Sequence, residues 1–267
     1  MRAPLKIIVT LQRFLFALIF AQLTEIAYLS QFYFQRKRIV INSDMIYEIS
    51  IWLLPVLIAV TFHEAAHGYV ARALGDETAS RLGRVSLNPL RHVDPFGTIV
   101  LPGLLLLAHS PFLFGYAKPV PVNFRALRNP RMGMVLVAAA GPAMNIGLAI
   151  IAALSFHLVV YLPEIAGQWT ALNLKNAIVI NVVLAVFNLF PLPPLDGGRI
   201  AVGLLPNVLG RPLAQLEPYG MMILIGLLIV LPLLGAQLGV DLGFVSHLIS
   251  SATDVVIKGI LLLTANV

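Results

Sequence analysis

Apolar runs of bilayer-spanning length alternate along this chain with short polar stretches that carry arginine. About 20 apolar residues cross the hydrocarbon of a membrane, so each such run is a candidate span. The pattern predicts spans over 45–74, 132–162, 173–190 and 219–235. A weaker one covers 242–264, with His247, Asp254 and Lys258 inside it. Residues 5–34 are apolar but broken by Gln12, Arg13, Gln22, Glu25 and Gln31, which predicts an imperfect first membrane helix or an interfacial one. Residues 97–114 are barely long enough to cross, and Pro102, Gly103 and Pro111 interrupt them. Arg81, Arg84 and Arg91 precede that run, and Lys118, Arg125, Arg128 and Arg131 follow it. Cytoplasmic loops collect Lys and Arg, so both flanks prefer the same side. The expectation is a re-entrant hairpin, or a small membrane-associated strand region, around 97–123 rather than a crossing. The fold class that follows is an all-α polytopic membrane protein of about six transmembrane helices in the cell (inner or plasma) membrane.

Composition sharpens this picture. Of 267 residues, 59% are hydrophobic and only 11% charged, against roughly 25% charged in a soluble domain. The formal net charge of +6 falls in small clusters between apolar runs. That is the distribution of cytoplasmic loops and not of a nucleic-acid surface. Cysteine is absent, which excludes disulfides and thiolate metal sites. Residues 1–44 read as an N-terminal extension. A secretory signal peptide fits them poorly, since the apolar part is long, polar-interrupted and without a small-residue cleavage site. Residues 45–267 read as a single domain with its core over 46–205 and C-terminal helices over 219–264. No internal repeat is evident, which disfavours an inverted-repeat transporter. Nothing in the sequence indicates an oligomeric state.

The chemistry is concentrated in His63-Glu64-Ala65-Ala66-His67, at the end of the 45–74 run. Positions i and i+4 share one face of a helix. Two imidazoles so placed can share one metal ion, with Glu64 free to act as a base beside them. Ionisable residues inside a span cost several kcal/mol unless something compensates them, and a divalent cation would compensate all three. A catalytic zinc takes three protein ligands and one open position. Asp76 and Glu77 lie just past the helix end, with no helical run leading to another carboxylate. Asp196 is the other candidate, beside the break Pro191-Leu192-Pro193-Pro194, where an ordinary helix cannot continue. Chemistry alone leaves Asp196 two roles, metal ligand or cap of the helix that follows.

A resemblance narrows the choice. The H-E-x-x-H motif in a membrane run, Gly141-Pro142-Ala143-Met144-Asn145, and Asn188 to Gly197 read as N-x-x-P-x-x-x-L-D-G together resemble the site-2 protease family of intramembrane zinc metalloproteases. The stretches 88–95 and 114–123 are similar to its short bacterial and archaeal branch, which lacks PDZ and CBS domains. The prolines at 191, 193 and 194 depart a little from the commoner pattern. The resemblance implies one zinc ion per chain held by His63, His67 and Asp196, with Glu64 as the catalytic general base. It implies a substrate-binding or oxyanion role for Asn145 and Asn188, against the plainer reading of helix–helix hydrogen bonds. The implied activity is a zinc endopeptidase cleaving membrane-spanning segments of protein substrates within the lipid bilayer, its site open to the cytoplasmic side. The alternative is a metal-ion or proton transporter using the same His and Asp groups. Among the other histidines, His92 in its polar loop reads as part of a hydrogen-bond network. Lys118 with Pro119 and Pro121 marks an interfacial loop or edge strand.

Overall fold

The computed structural model describes residues 43–100 and 118–266, and among these residues the regular structure is helical throughout. The helices are α1 (Ser43–Ala73), α2 (Pro130–Ser155), α3 (Glu164–Asn188), α4 (Asp196–Leu204), α5 (Asn207–Gln215), α6 (Gly220–Ile225), α7 (Leu231–Leu238) and α8 (Phe244–Leu263). Four stretches are long and apolar enough to cross a membrane: Ile46–Ala73, Pro130–Tyr161, Glu164–Asn188 and Phe244–Leu263. They match four of the expected spans. The run expected at 219–235 is divided, because a π turn over Gly226–Val230 separates α6 from α7. Pro232 explains it: as the second residue of α7 it has no N–H to donate back to Leu228 O, which breaks the α ladder inside the π turn. The hairpin expected at 97–114 lies mostly outside the described residues, as does the extension over 1–44. Residues 118–123 carry no regular structure.

Helices α1, α2 and α3 pack pairwise as the centre of the molecule, with α4 against α2 and α8 against α3. Local sequence sets where each begins and ends. The α1 helix stops at Gly75, whose φ of +109° an L side chain would strain. Asp76 then turns the chain, its carboxylate accepting from Thr78 N at 2.9 Å and Asn123 N at 2.6 Å. At the start of α2, Asn129 accepts the Met132 amide at 3.2 Å with Pro130 in the first turn, a favoured helix opening. The α3 helix ends before Pro191, and turns carry the chain to α4.

Where membrane helices meet, polar side chains tie them. Asn176 Nδ2 donates to Ile51 O at 2.9 Å and Trp169 Nε1 to Ser50 Oγ at 2.9 Å, linking α3 to α1. Such bonds fix register between otherwise greasy surfaces. Arg131 donates to the carbonyls of Gly203 and Leu205, holding the end of α4 on α2. A buried apolar cluster of Ala59, Ile180, Leu184, Phe187, Leu195 and Leu224 joins α1, α3, α6 and the turn before α4. The broken segment between α3 and α4 is seated on glycines. A Cβ on Gly197 would run into Leu189 backbone, one on Gly198 into Pro193 N, and one on Gly220 into Pro193 O.

A contrast between glycines tests this seating. Gly220→Ala forces backbone against backbone and is expected to cost about 3 kcal/mol. Gly147, inside α2 with nothing within 4 Å of a Cβ, should gain about 0.5–1 kcal/mol as alanine. Thermal unfolding in detergent reads both; equal midpoints for the two variants would remove the glycine seat.

Candidate metal centre

The α1 face bearing His63 and His67 turns inward against α2, and both imidazoles are buried. Their Nε2 atoms lie 3.1 Å apart. Asp196, the first residue of α4, brings Oδ2 to 3.3 Å from each of them. These three side chains, two from one helix turn and one 129 residues on, are the group of donors among the described residues that could hold a metal ion.

Hydrogen bonds from behind fix which atoms face the centre. Asn181 Nδ2 donates to Ala177 O at 2.8 Å, so its oxygen faces Asn145. Asn145 Nδ2 donates to that oxygen at 2.8 Å and to Ala59 O at 3.2 Å. The Asn145 oxygen therefore accepts from His63 Nδ1, at 2.6 Å. His67 Nδ1 donates to Val137 O at 2.7 Å. With each Nδ1 carrying its proton, both Nε2 lone pairs point at the carboxylate oxygen. Partners of this kind set imidazole tautomer and orientation at metal sites.

Several features fit a small cation. Tetrahedral zinc with bonds of about 2.0–2.2 Å spaces its donors about 3.3–3.6 Å apart, close to the 3.1–3.3 Å edges of this triangle. Asp196 Oδ2 is buried and without a hydrogen bond, because its nearest polar neighbours present lone pairs. Gly141 on α2 completes the cradle. A Cβ there would lie 2.5 Å from His63 Cε1 and 2.5 Å from His67 Nε2. The donor set is nitrogen and oxygen, as a cysteine-free chain requires.

Glu64 is buried beside the imidazoles. Its Oε2 accepts the backbone N–H of Val120 at 2.7 Å, so the segment 118–123 lies over α1. Gly68 makes room for this approach, since a Cβ there would sit 3.2 Å from Val120 Cγ1. Arg84 binds the same segment, donating to Lys118 O at 2.6 Å and Pro119 O at 3.4 Å, and also to Arg91 O. Burial lowers the Arg84 guanidinium below its usual value, and the carboxylates of Glu64 and Asp94 oppose that shift.

The expected site residues divide into two sets. His63, Glu64, His67 and Asp196 come together. Asn145 adjoins them from behind, wholly buried, with its amide committed to His63, Asn181 and Ala59. Asn188 stands in the last turn of α3, its Nδ2 bonded to Leu184 O at 2.9 Å. His92 takes part in a loop network, Nε2 at 2.8 Å from Ser86 O and its own carbonyl accepting from Lys118 N at 2.8 Å. Sequence reasoning missed Asn181, Val137 O and the Val120 amide. Only the Ala138-Ala139-Ala140-Gly141 run hinted at the close approach of α2.

Comparison with known proteins agrees with this geometry. Residues 163–232 match the model of Peptidase family M50. YwhC of Bacillus subtilis, a zinc metalloprotease by name, is 43% identical over 188 residues, covering 68% of this chain and 80% of that protein. Rip2 of Mycolicibacterium smegmatis, of like name, is 29% identical over 174 residues, or 65% of this chain and 64% of Rip2. Rip2 of Mycobacterium tuberculosis strain H37Rv is 28% identical over 207 residues, 76% of this chain and 77% of its own length. No solved structure matches. With histidines, glutamate and aspartate gathered at one buried point, and with this degree of identity to YwhC, the chain belongs to the M50 or site-2 protease family and is a metalloprotease.

Proposed function

We propose that this protein is a zinc endopeptidase that cleaves membrane-spanning segments of other proteins within the bilayer. His63, His67 and Asp196 would hold one zinc ion per chain, and Glu64 is the general base. The observation that carries the reading is the 3.1–3.3 Å triangle of two imidazole nitrogens and the buried Asp196 oxygen. When bound, zinc supplies a Lewis acid that polarises a carbonyl and lowers the pKa of water.

The chain's own residues do the rest. Glu64 takes the proton of the attacking water and returns it to the leaving amine nitrogen. Asn145 orients His63, because its amide has no group left for a substrate. For Asn188, a helix-terminal role has support in its bond to Leu184 O. Helices α1 to α4 exclude bulk water from the donors, which strengthens every charge interaction there. Residues 45–267 act as one protease unit: the apolar cluster takes in Ala59 and Leu184 together with Leu224, Val245 and Ile249 from the C-terminal helices.

The lipid setting supports a membrane substrate. His67 lies six residues from the end of α1, about 9 Å along the helix. Arg72, Arg81, Arg84 and Arg91 cluster at and beyond that end, which by the positive-inside rule faces the cytoplasm. The site therefore opens to the cytoplasmic side, about two turns in from the end of a candidate span. A substrate helix must unwind there to expose its carbonyls, and the turn-rich segment between α3 and α4 offers backbone groups to the extended strand.

The enzyme reconstituted with a single-span fusion protein as substrate provides the test. Glu64→Gln should retain zinc while kcat falls about a hundred- to ten-thousandfold; undiminished cleavage by that variant would remove Glu64 as the base. Metal analysis distinguishes the supports behind the imidazoles. Asn145→Ala is expected to weaken zinc binding about 10–100-fold, as loss of an imidazole's hydrogen-bond partner does. Gly141→Ala should lose at least about 100-fold, because its Cβ occupies the space between the donors. A Gly141→Ala protein with full zinc content would refute the cradle.

A further inference from the structure

Glu64 is held by a backbone amide from outside its own helix, and the local sequence makes that amide the sole candidate. In Lys118-Pro119-Val120-Pro121 the prolines have no N–H. The only donor between residues 119 and 121 is therefore Val120, and it is the one that meets Glu64 Oε2 at 2.7 Å. Proline on either side also removes much of the torsional freedom through which the amide could turn away.

The segment cannot hold itself there, since it has no regular structure. Three contacts pin it. On the near side, Lys118 N donates to His92 O at 2.8 Å. On the far side, Asn123 N donates to Asp76 Oδ2 at 2.6 Å. In the middle, the Arg84 guanidinium reaches Lys118 O and Pro119 O with one nitrogen and Arg91 O with the other. A planar fork can grip carbonyls from two strands of chain at once, which a lysine ammonium cannot do with the same geometry. Pro119 O belongs to the very peptide unit whose nitrogen is Val120 N. Arg84 and Glu64 therefore bind opposite ends of one peptide group, acceptor to cation and donor to anion.

We propose that Arg84 is a positioning residue of the active site: through the Pro119–Val120 peptide it sets the orientation of the Glu64 carboxylate. The bond to Val120 occupies Oε2 and leaves the second carboxylate oxygen to take the proton of the attacking water. Removing the guanidinium frees the peptide to rotate and leaves Glu64 to sample several rotamers. The protonation chemistry then slows without loss of the metal or of substrate binding. This rests on Glu64 being the base, so one arm of the test is independent of activity.

Arg84→Gln and Arg84→Lys in the full-length, detergent-solubilised protein provide that test. Hydrogen exchange resolved to single residues within 118–123, by electron-transfer fragmentation, reads the Val120 amide apart from the hydrogen-bonded amides of Lys118 and Asn123. Both variants should speed exchange of this amide about tenfold or more, as should Glu64→Ala, corresponding to loss of one charge-assisted bond. With the single-span fusion substrate, Arg84→Gln should lower kcat about 10–100-fold while KM stays within about twofold. Arg84→Lys should fall in between, and zinc content should match wild type in both. Unchanged exchange and kcat in Arg84→Gln would overturn the proposal. So would loss of zinc and of thermal stability in step with kcat, which would make Arg84 a structural tie only. A wild-type protein that leaves the fusion substrate intact would count against the protease reading, while the exchange arm would still decide the link from Arg84 to Glu64.

Discussion

Two imidazole nitrogens and a carboxylate oxygen direct their lone pairs at a common point inside a cluster of apolar helices. In surroundings of low dielectric such a concentration repels itself unless positive charge is shared among its members. The fold keeps these atoms together by restraining each from behind. A carbonyl on α2 holds one imidazole, and a chain of two asparagine amides ending on an α3 carbonyl holds the other. A helix start holds the carboxylate. Each restraint ends on the main chain, the least mobile part of the structure.

This arrangement explains why α1, α2 and α3 must approach so closely. The second helix presents a glycine to the imidazoles, preceded by three alanines and followed by Pro142, so the helix surface itself forms one wall of the centre. Small residues also let membrane helices gain van der Waals contact that lipid would otherwise supply. The same residue choice therefore serves packing and chemistry. Near the other carboxylate, a proline-bracketed peptide holds Glu64 as the Val137 carbonyl holds His67.

Much of this was readable from the sequence, and the boundary is physical. The i and i+4 spacing of His63 and His67 encodes a shared helix face, because helical geometry is local. The apolar runs encode four helices for the same reason, since burial in lipid needs only length and composition. The split in the 219–235 run could have been anticipated from Pro232, though a proline near a helix start is usually harmless. Asn181 reaches Asn145 across 36 residues and Val120 reaches Glu64 across 56. No periodicity carries contacts of that range. Arg84 was one arginine among several whose main visible role was to mark a side of the membrane. Asp196 was legible only in part: the break beside it pointed to function, while the choice between cap and ligand came from a family resemblance.

The glycines under the 189–194 segment have a bearing on ion selectivity. A joint of main chain against main chain has no rotamers through which to relax, so the position of Asp196 relative to α3 and α6 is nearly rigid. Calcium gathers six to eight oxygens in yielding loops, and magnesium insists on an octahedron and retains its waters. A donor triangle with one corner anchored by such a joint cannot readily re-space itself for either coordination shell. Gly197, Gly198 and Gly220 touch neither imidazole, yet they help fix the spacing to which an ion must conform.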